Sequence, residues 1–380
     1  MKITVDRTQM LSAFTVAAAV VPTRTPKAIL QNVKMEATSE GVCLMATDLE
    51  IGVRVQMPDV KVDVPGSCLL PVQRFMNIIR ESIDSQLRIS SDNQATIVRG
   101  ERSQFRLSSP NVDEFASLVA VREERYHQVT GRLFSELLQR TAFAADSESS
   151  RYALAGVLME FKPEALIAVG TDGRRLAKME GPATVSGGHD SHEATTIVPT
   201  RAVSLMMRAF ANPDADIRIT ARNNDILVQD SRVTVFARLV EGRFPRWRDV
   251  FPQRPDAQKI QLTVGPLFNA LRQAAVVVSE ESRGVQFAFE QGNLVLSAAT
   301  AEVGDSRVEL PVAYDGPPLS ISLDPRYVSD FLKVLEPERN ITLELDGSDS
   351  AALFLTEDGY GYVVMPMARD RKRVVDACGR

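Results

Sequence analysis

The residues best suited to acid–base or metal chemistry in this chain are its three histidines, His127, His189 and His192. His189 and His192 flank Asp190 in SGGHDSHEA, where two imidazoles and a carboxylate could hold a metal or pass a proton. The segment is polar and glycine-rich, however, and its composition reads as a solvated loop. Asp48 and Asp172 could be taken for an acid and base pair, but each stands in a TD dipeptide at matching places of an internal repeat, where aspartate shapes a turn. Cys43, Cys68 and Cys378 are too few and too scattered for a disulfide framework or a zinc site. No glycine-rich phosphate loop, nucleophile elbow or metal-ligand spacing is present. The residue types therefore point away from catalysis and away from any cofactor, and function has to be sought in shape and charge.

The elements that would position such residues recur three times, with a period of roughly 125 residues. Each copy opens with an amphipathic helix whose apolar stripe is Met10, Phe14, Ala17 and Ala18, then Phe134, Leu137, Leu138 and Thr141, then Leu267, Leu271, Ala274, Ala275 and Val278. A strand follows at 32–37, 156–161 and 284–289. Another runs into a turn at 42–50, 166–175 and 294–302. A third strand then ends at a proline that opens a second helix, at Pro71, Pro199 and Pro325, which stand 128 and 126 residues apart. Its buried face reads Val72, Phe75, Met76, Ile79, then Val203, Met206, Met207, Phe210, then Val328, Phe331, Leu332, Leu335. Closing strands complete each copy. The pattern predicts an α+β fold of three topologically alike domains, each with two helices packed on antiparallel sheets, at 1–120, 128–252 and 259–369. Polar linkers lie near 118–127 and 251–259.

The charge is unevenly shared. The 380 residues carry a net charge of −5, which by itself argues against a nucleic-acid partner. Yet the six expected helices (8–20, 71–80, 131–145, 199–212, 266–278, 325–335) hold Arg74, Arg80, Arg132, Arg140, Arg201, Arg208, Arg272, Arg326 and Lys333 against only Glu136 and Asp330. Nine cations against two anions give a surplus of +7, leaving −12 for the rest. The apolar face of each helix must pack on its sheet, so these cations face away from it and can meet a phosphate backbone without reading bases. With axes ~9 Å apart, twelve helices from two chains close a loop ~34 Å across, and a helix diameter of ~11 Å leaves a hole of ~23 Å, wide enough for a DNA duplex. One chain makes half of such a closed ring, with helices inside and sheets outside, and a head-to-tail dimer closes it.

The repeats, together with TDGRRL at 171–176, FPRW at 244–247 and YVVMPM at 362–367, resemble the β subunit of bacterial DNA polymerase III, the sliding-clamp family, over residues 1 to about 369. The resemblance implies a non-enzymatic homodimeric ring that slides on double-stranded DNA. It also implies a pocket that takes short peptides of the replicative polymerase, the clamp loader and repair proteins. By position in the motifs that pocket would use Leu154, Thr171, Gly173, Arg174, Arg175 and Leu176, with Pro245 and Val250, and Val363, Val364, Met365, Pro366, Met367 and Ala368. Methionine and valine suit an adaptable apolar groove, and arginines at its rim suit acidic or polar peptide positions.

DNA contacts would fall to Arg24, Arg74, Arg80, Arg140, Arg201, Arg208 and Lys333, and the subunit interface to Phe105 and Leu107 on an edge strand with Val277 and Val278 opposite. The tail DRKRVVDACGR at 370–380 departs from the family pattern and reads as disordered, crowding or extending the pocket. The N-terminus lacks a signal-peptide core and no run of 18 apolar residues occurs, which makes the cytoplasm the expected setting. The rival reading is a repeat scaffold that binds proteins but not DNA; a steep salt dependence of DNA association separates the two.

Overall fold

A computed structural model describes residues 1–92, 94–116, 123–146, 153–189, 195–252, 254, 257–280 and 283–367. Ala368, the tail 370–380, Asp190 and His192, and parts of both expected linkers lie outside the described residues. The six expected helices are present as Arg7–Ala18, Val72–Glu81, Gly131–Ala142, Thr200–Ala209, Val264–Ala274 and Pro325–Lys333, with a further short turn at Trp247–Val250. Asp6 caps the first by accepting the Gln9 N–H at 2.9 Å, and Asp324 caps the last by accepting the Arg326 N–H at 2.9 Å. Pro71 and Pro199 stand at the N-cap, one residue before the helix, whereas Pro325 is its first residue. An N-cap keeps extended backbone angles, which lets the same proline end the preceding strand.

The repeat is visible in single hydrogen bonds. The first residue of each opening helix donates its N–H to the carbonyl just before or at the start of a later strand of its own copy: Arg7 to Ser85 (2.8 Å), Gly131 to Ala215 (2.7 Å) and Val264 to Arg339 (3.0 Å). The turn between the second and third strands is also shared. Thr47 Oγ1 donates to the Ile51 carbonyl and accepts from Leu49 N–H, while Asp48 Oδ1 accepts from Glu50 and Ile51. Thr171 and Asp172 make the same four bonds to Arg175, Gly173 and Arg174. Both aspartates are turn formers, as their recurrence suggested. The residue after each aspartate has positive φ, +86° at Gly173 and +82° at Leu49, a conformation that costs a leucine about 1 kcal/mol.

Packing divides the chain into two compact units, one holding 1–135, 159–166 and 182–241, the other 136–158, 167–181 and 242–380. The first contains a five-stranded antiparallel sheet ordered Lys61–Val64, Lys2–Asp6, Gln86–Ser91, Ala95–Arg99, Gln104–Ser108. It also contains a nine-stranded sheet in which Val233–Arg238, the last strand of copy two, pairs with Ile51–Met57 of copy one. The second unit contains a four-stranded sheet ordered Gly304–Pro311, Asn293–Thr300, Val285–Glu290, Leu319–Leu323. There Tyr360–Val364, the last strand of copy three, pairs with Arg175–Pro182 of copy two. Compactness thus cuts across copy two, because its outer strands are hydrogen-bonded into the sheets of its neighbours in sequence.

Within the second unit the core is aromatic. Phe331 stacks on Tyr362 with centroids 5.0 Å apart and planes 5° apart, and Phe354 and Tyr360 close around it. Beside this stack lies Arg140, which the sequence placed among DNA contacts. It is only 6% exposed: its guanidinium pairs with Asp358 at 2.7 Å, lies 5.4 Å over the Tyr360 ring and comes within 3.7 Å of Glu136. The charge count could not see this, because Asp358 lies 218 residues away. Arg140 is a buried structural ion and is withdrawn from the solvent-facing set. Partial burial pushes Asp358 up, but hydrogen bonds from Thr356 and Arg140 outweigh it and hold the carboxyl at about 2. A carboxylate depressed in the fold stabilises above its ordinary 3.8 and loses that contribution as the pH falls through the lower value. Asp358→Asn is therefore expected to cost about 1–2 kcal/mol at neutral pH. Urea unfolding of both proteins should show that difference shrinking as the pH drops from 3.8 towards 2; a constant difference would mean another origin.

Candidate functional site

The three motifs of the expected pocket meet in the second unit. Antiparallel pairing sets Arg175 opposite Val364 and Leu176 opposite Val363, and the Met365 N–H continues the ladder to the Arg174 carbonyl at 2.9 Å. The chain then crosses sheets: Met367 N–H donates to Ser322 of the four-stranded sheet at 2.8 Å. A β-carbon at Gly361 would collide with the Phe251 ring, so the segment after FPRW packs directly on the last strand. At the other end of that segment, a β-carbon at Gly242 would lie 3.2 Å from the Ala153 side chain, beside Leu154. Trp247 is buried edge-on to Phe251.

Exposure sorts the expected lining. Val250 (51%) and Met365 (46%) are half-exposed apolar groups, and Gly173 and Arg174 are open to solvent, with Pro245, Pro366 and Met367 partly so. Leu154, Thr171, Leu176, Val363 and Val364 are buried and offer a ligand no surface. Ala368 lies outside the described residues. Arg175 also departs from its expected rim role. Its Nη1 donates to Asp330 at 2.8 Å, its Nε to Asp172 at 3.0 Å and its Nη2 to the Phe143 carbonyl at 2.7 Å, with the plane 4.6 Å over Tyr327. Burial alone would lower its proton affinity, but Tyr362, Asp330 and Asp172 carry it above the ordinary value. Its donors are committed to the fold, so only Arg174 remains as a rim cation.

Of the remaining expected DNA contacts, Arg24, Arg74, Arg80 and Arg208 are exposed. Arg201 is exposed but bonded, to Asp48 at 2.6 Å and to the Val20 carbonyl at 3.1 Å; Lys333 lies 3.3 Å from Asp330. Such surface pairs are weak and exchange readily for phosphate. At the expected interface, Phe105 is exposed and Leu107, Val277 and Val278 are partly so. The sequence missed three more apolar groups there: Val276 (77%), Val303 (61%) and Ile83 (97%). Phe105 and Leu107 do stand on an edge strand, Gln104–Ser108, and among the described residues Gly304–Pro311 is a second sheet edge, which the sequence did not reveal. Its alternating, partly apolar residues were the available signal.

His189, read as part of a solvated loop, is buried against His127, with the two Nδ1 atoms 2.7 Å apart. The Ala221 N–H donates to His189 Nε2 at 2.9 Å, so its proton sits on Nδ1 and points at His127, which donates in turn from Nε2 to the Lys162 carbonyl. Cys43 and Cys68 are buried, and burial pushes the Cys68 thiol up to about 11, far from a nucleophile. Among the described residues no group of three or more His, Cys, Asp or Glu could hold a metal ion, and no helix is long and apolar enough to cross a membrane.

Three family descriptions match in succession: DNA polymerase III beta subunit, N-terminal domain, over residues 1–119, central domain over 128–246, and C-terminal domain over 248–368. The chain belongs to the DNA polymerase III beta-subunit family. The beta sliding clamp of Chlamydia muridarum (strain MoPn / Nigg) is 30% identical over 371 residues, covering 97% of this chain and 99% of the relative. That of Escherichia coli (strain K12) is 29% identical over 372 residues, covering 97% and 100%. Among solved structures, a DnaN sliding clamp from Pseudomonas aeruginosa bound to griselimycin aligns at TM-score 0.89 with 27% identity over 97% of this chain and 100% of that one. The fold is shared with the Bacillus subtilis clamp at TM-score 0.89 and 22% identity, over 97% and 99%.

Family membership leaves the unequal roles of the two adjacent arginines to be tested. Arg175→Met strands Asp330 and Asp172 and should destabilise by about 3 kcal/mol or more, whereas Arg174→Met, on the surface, should stay within about 0.5 kcal/mol. Equilibrium urea unfolding reads both, and equal effects would overturn the distinction.

Proposed function

We propose that two copies of this chain close head to tail into a ring around duplex DNA, with each repeat acting as one clamp domain. The ring does no chemistry; it holds a polymerase and other proteins on the template. The observation that carries this reading is a vacancy in the strand pairing. In copies one and two, the strand after the shared turn pairs with the last strand of the following copy, Ile51–Met57 with Val233–Arg238 and Arg175–Pro182 with Tyr360–Val364. Among the described residues, the corresponding strand of copy three, Gly304–Pro311, and the last strand of copy one, Gln104–Ser108, have no such partner. A second chain supplies both at once, with Val276, Val303, Phe105 and Ile83 at the two seams. Helices bearing Arg74, Arg80, Arg201, Arg208 and Lys333 would then bind the phosphate backbone without base contacts, as a sliding ring in the cytoplasm needs.

Two measurements test this. Loaded by a clamp loader, the protein should stay on nicked circular DNA and be lost from linear DNA, and Val276→Glu with Phe105→Glu, which sets like charges at the seam, should reduce its solution mass to 41.8 kDa and abolish that retention. Equal loss from circle and line would favour a scaffold that binds proteins only. We further propose that Val250, Met365 and Arg174 form the surface on which partner peptides dock, recognised by an apolar anchor and an acidic or polar group. Val250→Asp and Met365→Asp should each weaken the loader's or polymerase subunit's peptide at least tenfold in fluorescence anisotropy without lowering the melting temperature.

A further inference from the structure

The seam between copies two and three is filled by larger side chains, mostly polar: Arg140, Glu136, Met179, Asp358, Tyr360 and Arg339. Arg140 bridges Asp358, Tyr360 and Met179, and Arg339 also pairs with Asp358. The seam between copies one and two has the same five-pair strand ladder, so its equivalent positions follow from matching hydrogen bonds. Val55 opposite Val233 corresponds to Met179 opposite Tyr360. The hairpin loop before that strand is one residue shorter here, closing from Asp230 to Val233 instead of from Thr356 to Tyr360, and Ser231 stands in it two residues before the strand, as Asp358 does. The helix-start bonds from Arg7 to Ser85, Gly131 to Ala215 and Val264 to Arg339 align the opening helices. Val16 therefore takes the place of Arg140, Ser12 that of Glu136 and Ala215 that of Arg339. Every replacement is smaller, and all six line one cavity of about 740 Å³.

We propose that this cavity is a binding site for a small, neutral, flat aromatic compound with hydrogen-bonding groups at its edge. Its size is that of a ligand pocket. Its apolar wall is Val16, Val55 and Val233, with Ala13, Ala209 and Ala215 beside them, surfaces that receive a ring. Its polar lining is mostly uncharged: the carboxamides of Gln9, Gln56 and Asn212 and the hydroxyls of Thr8, Ser12 and Ser231. The charged groups cancel in number, Arg208 and Arg232 against Asp59 and Asp230, so neither an anion nor a cation is favoured. The equivalent space at the other seam holds a flat phenol under a flat guanidinium, and both are missing here. The site is separate from the partner groove, lies wholly within the first unit and does not depend on ring closure.

The test uses the full-length protein and 4-hydroxybenzamide, followed by saturation-transfer NMR. Saturable binding is expected, weakened at least tenfold by Ser12→Phe, which places a ring in the cavity from an exposed helix position. The pair Val16→Arg with Ser231→Asp, which transplants the ion pair of the other seam, should do the same and raise the melting temperature. Benzoate and benzamidine, the charged analogues, should bind at least tenfold more weakly. The proposal is overturned if 4-hydroxybenzamide does not bind, if Ser12→Phe leaves its binding unchanged, or if a charged analogue binds as well. Should the double variant fail to fold, Ser12→Phe alone decides.

Discussion

Everything in this fold hangs on one kind of contact: the strand that leaves the shared turn of one copy pairs with the closing strand of the next. Five residue pairs make that ladder between Ile51–Met57 and Val233–Arg238, and five between Arg175–Pro182 and Tyr360–Val364. Backbone groups in a sheet edge cannot be left buried without partners, so each copy needs a neighbour. A chain of three copies has two internal seams and must end in two open edges. Those edges follow from topology rather than from any special interface chemistry, and the proposed two-chain ring rests on them.

The two seams show how loosely sequence is tied to such a joint. Each carries an ion pair from an arginine that also bonds a carbonyl just beyond the opening helix of the earlier copy at that seam. At one seam the arginine sits on the second helix and its partner in the turn, Arg201 with Asp48. At the other the arginine sits in the turn and its partner on the helix, Arg175 with Asp330. The tie persists while its polarity is exchanged. Arg175 is the costlier version, because a buried guanidinium must satisfy its donors inside the protein. Arg201 keeps access to water and so can contribute to a solvent-facing basic surface, as Arg175 cannot.

The periodic apolar stripes, the helix count, the proline at each second helix and the turn aspartates were all legible in the residues, because each depends on spacing within about ten positions. So was the surplus of basic charge on the helices. Which cations actually face water was not. Arg140 looked like any other helical arginine until Asp358, far away in sequence, was folded against it. His189 looked like part of a polar loop until His127 and Ala221 closed around it. Val363 and Val364 belonged to the same motif as Met365, yet strand pairing buried them and left Met365 exposed.

By itself, then, the sequence determined the repeat, the class of each element and the absence of a recognisable catalytic motif, since these rest on local periodicity and residue type. Only the tertiary structure decided which edges remain open, which arginines are spent on carboxylates, and where small residues leave a cavity at one seam that large ones fill at the other. Those outcomes depend on partners that are distant in the chain and adjacent in space. Burial and ion pairing are properties of that adjacency, and no pattern within a single copy encodes it.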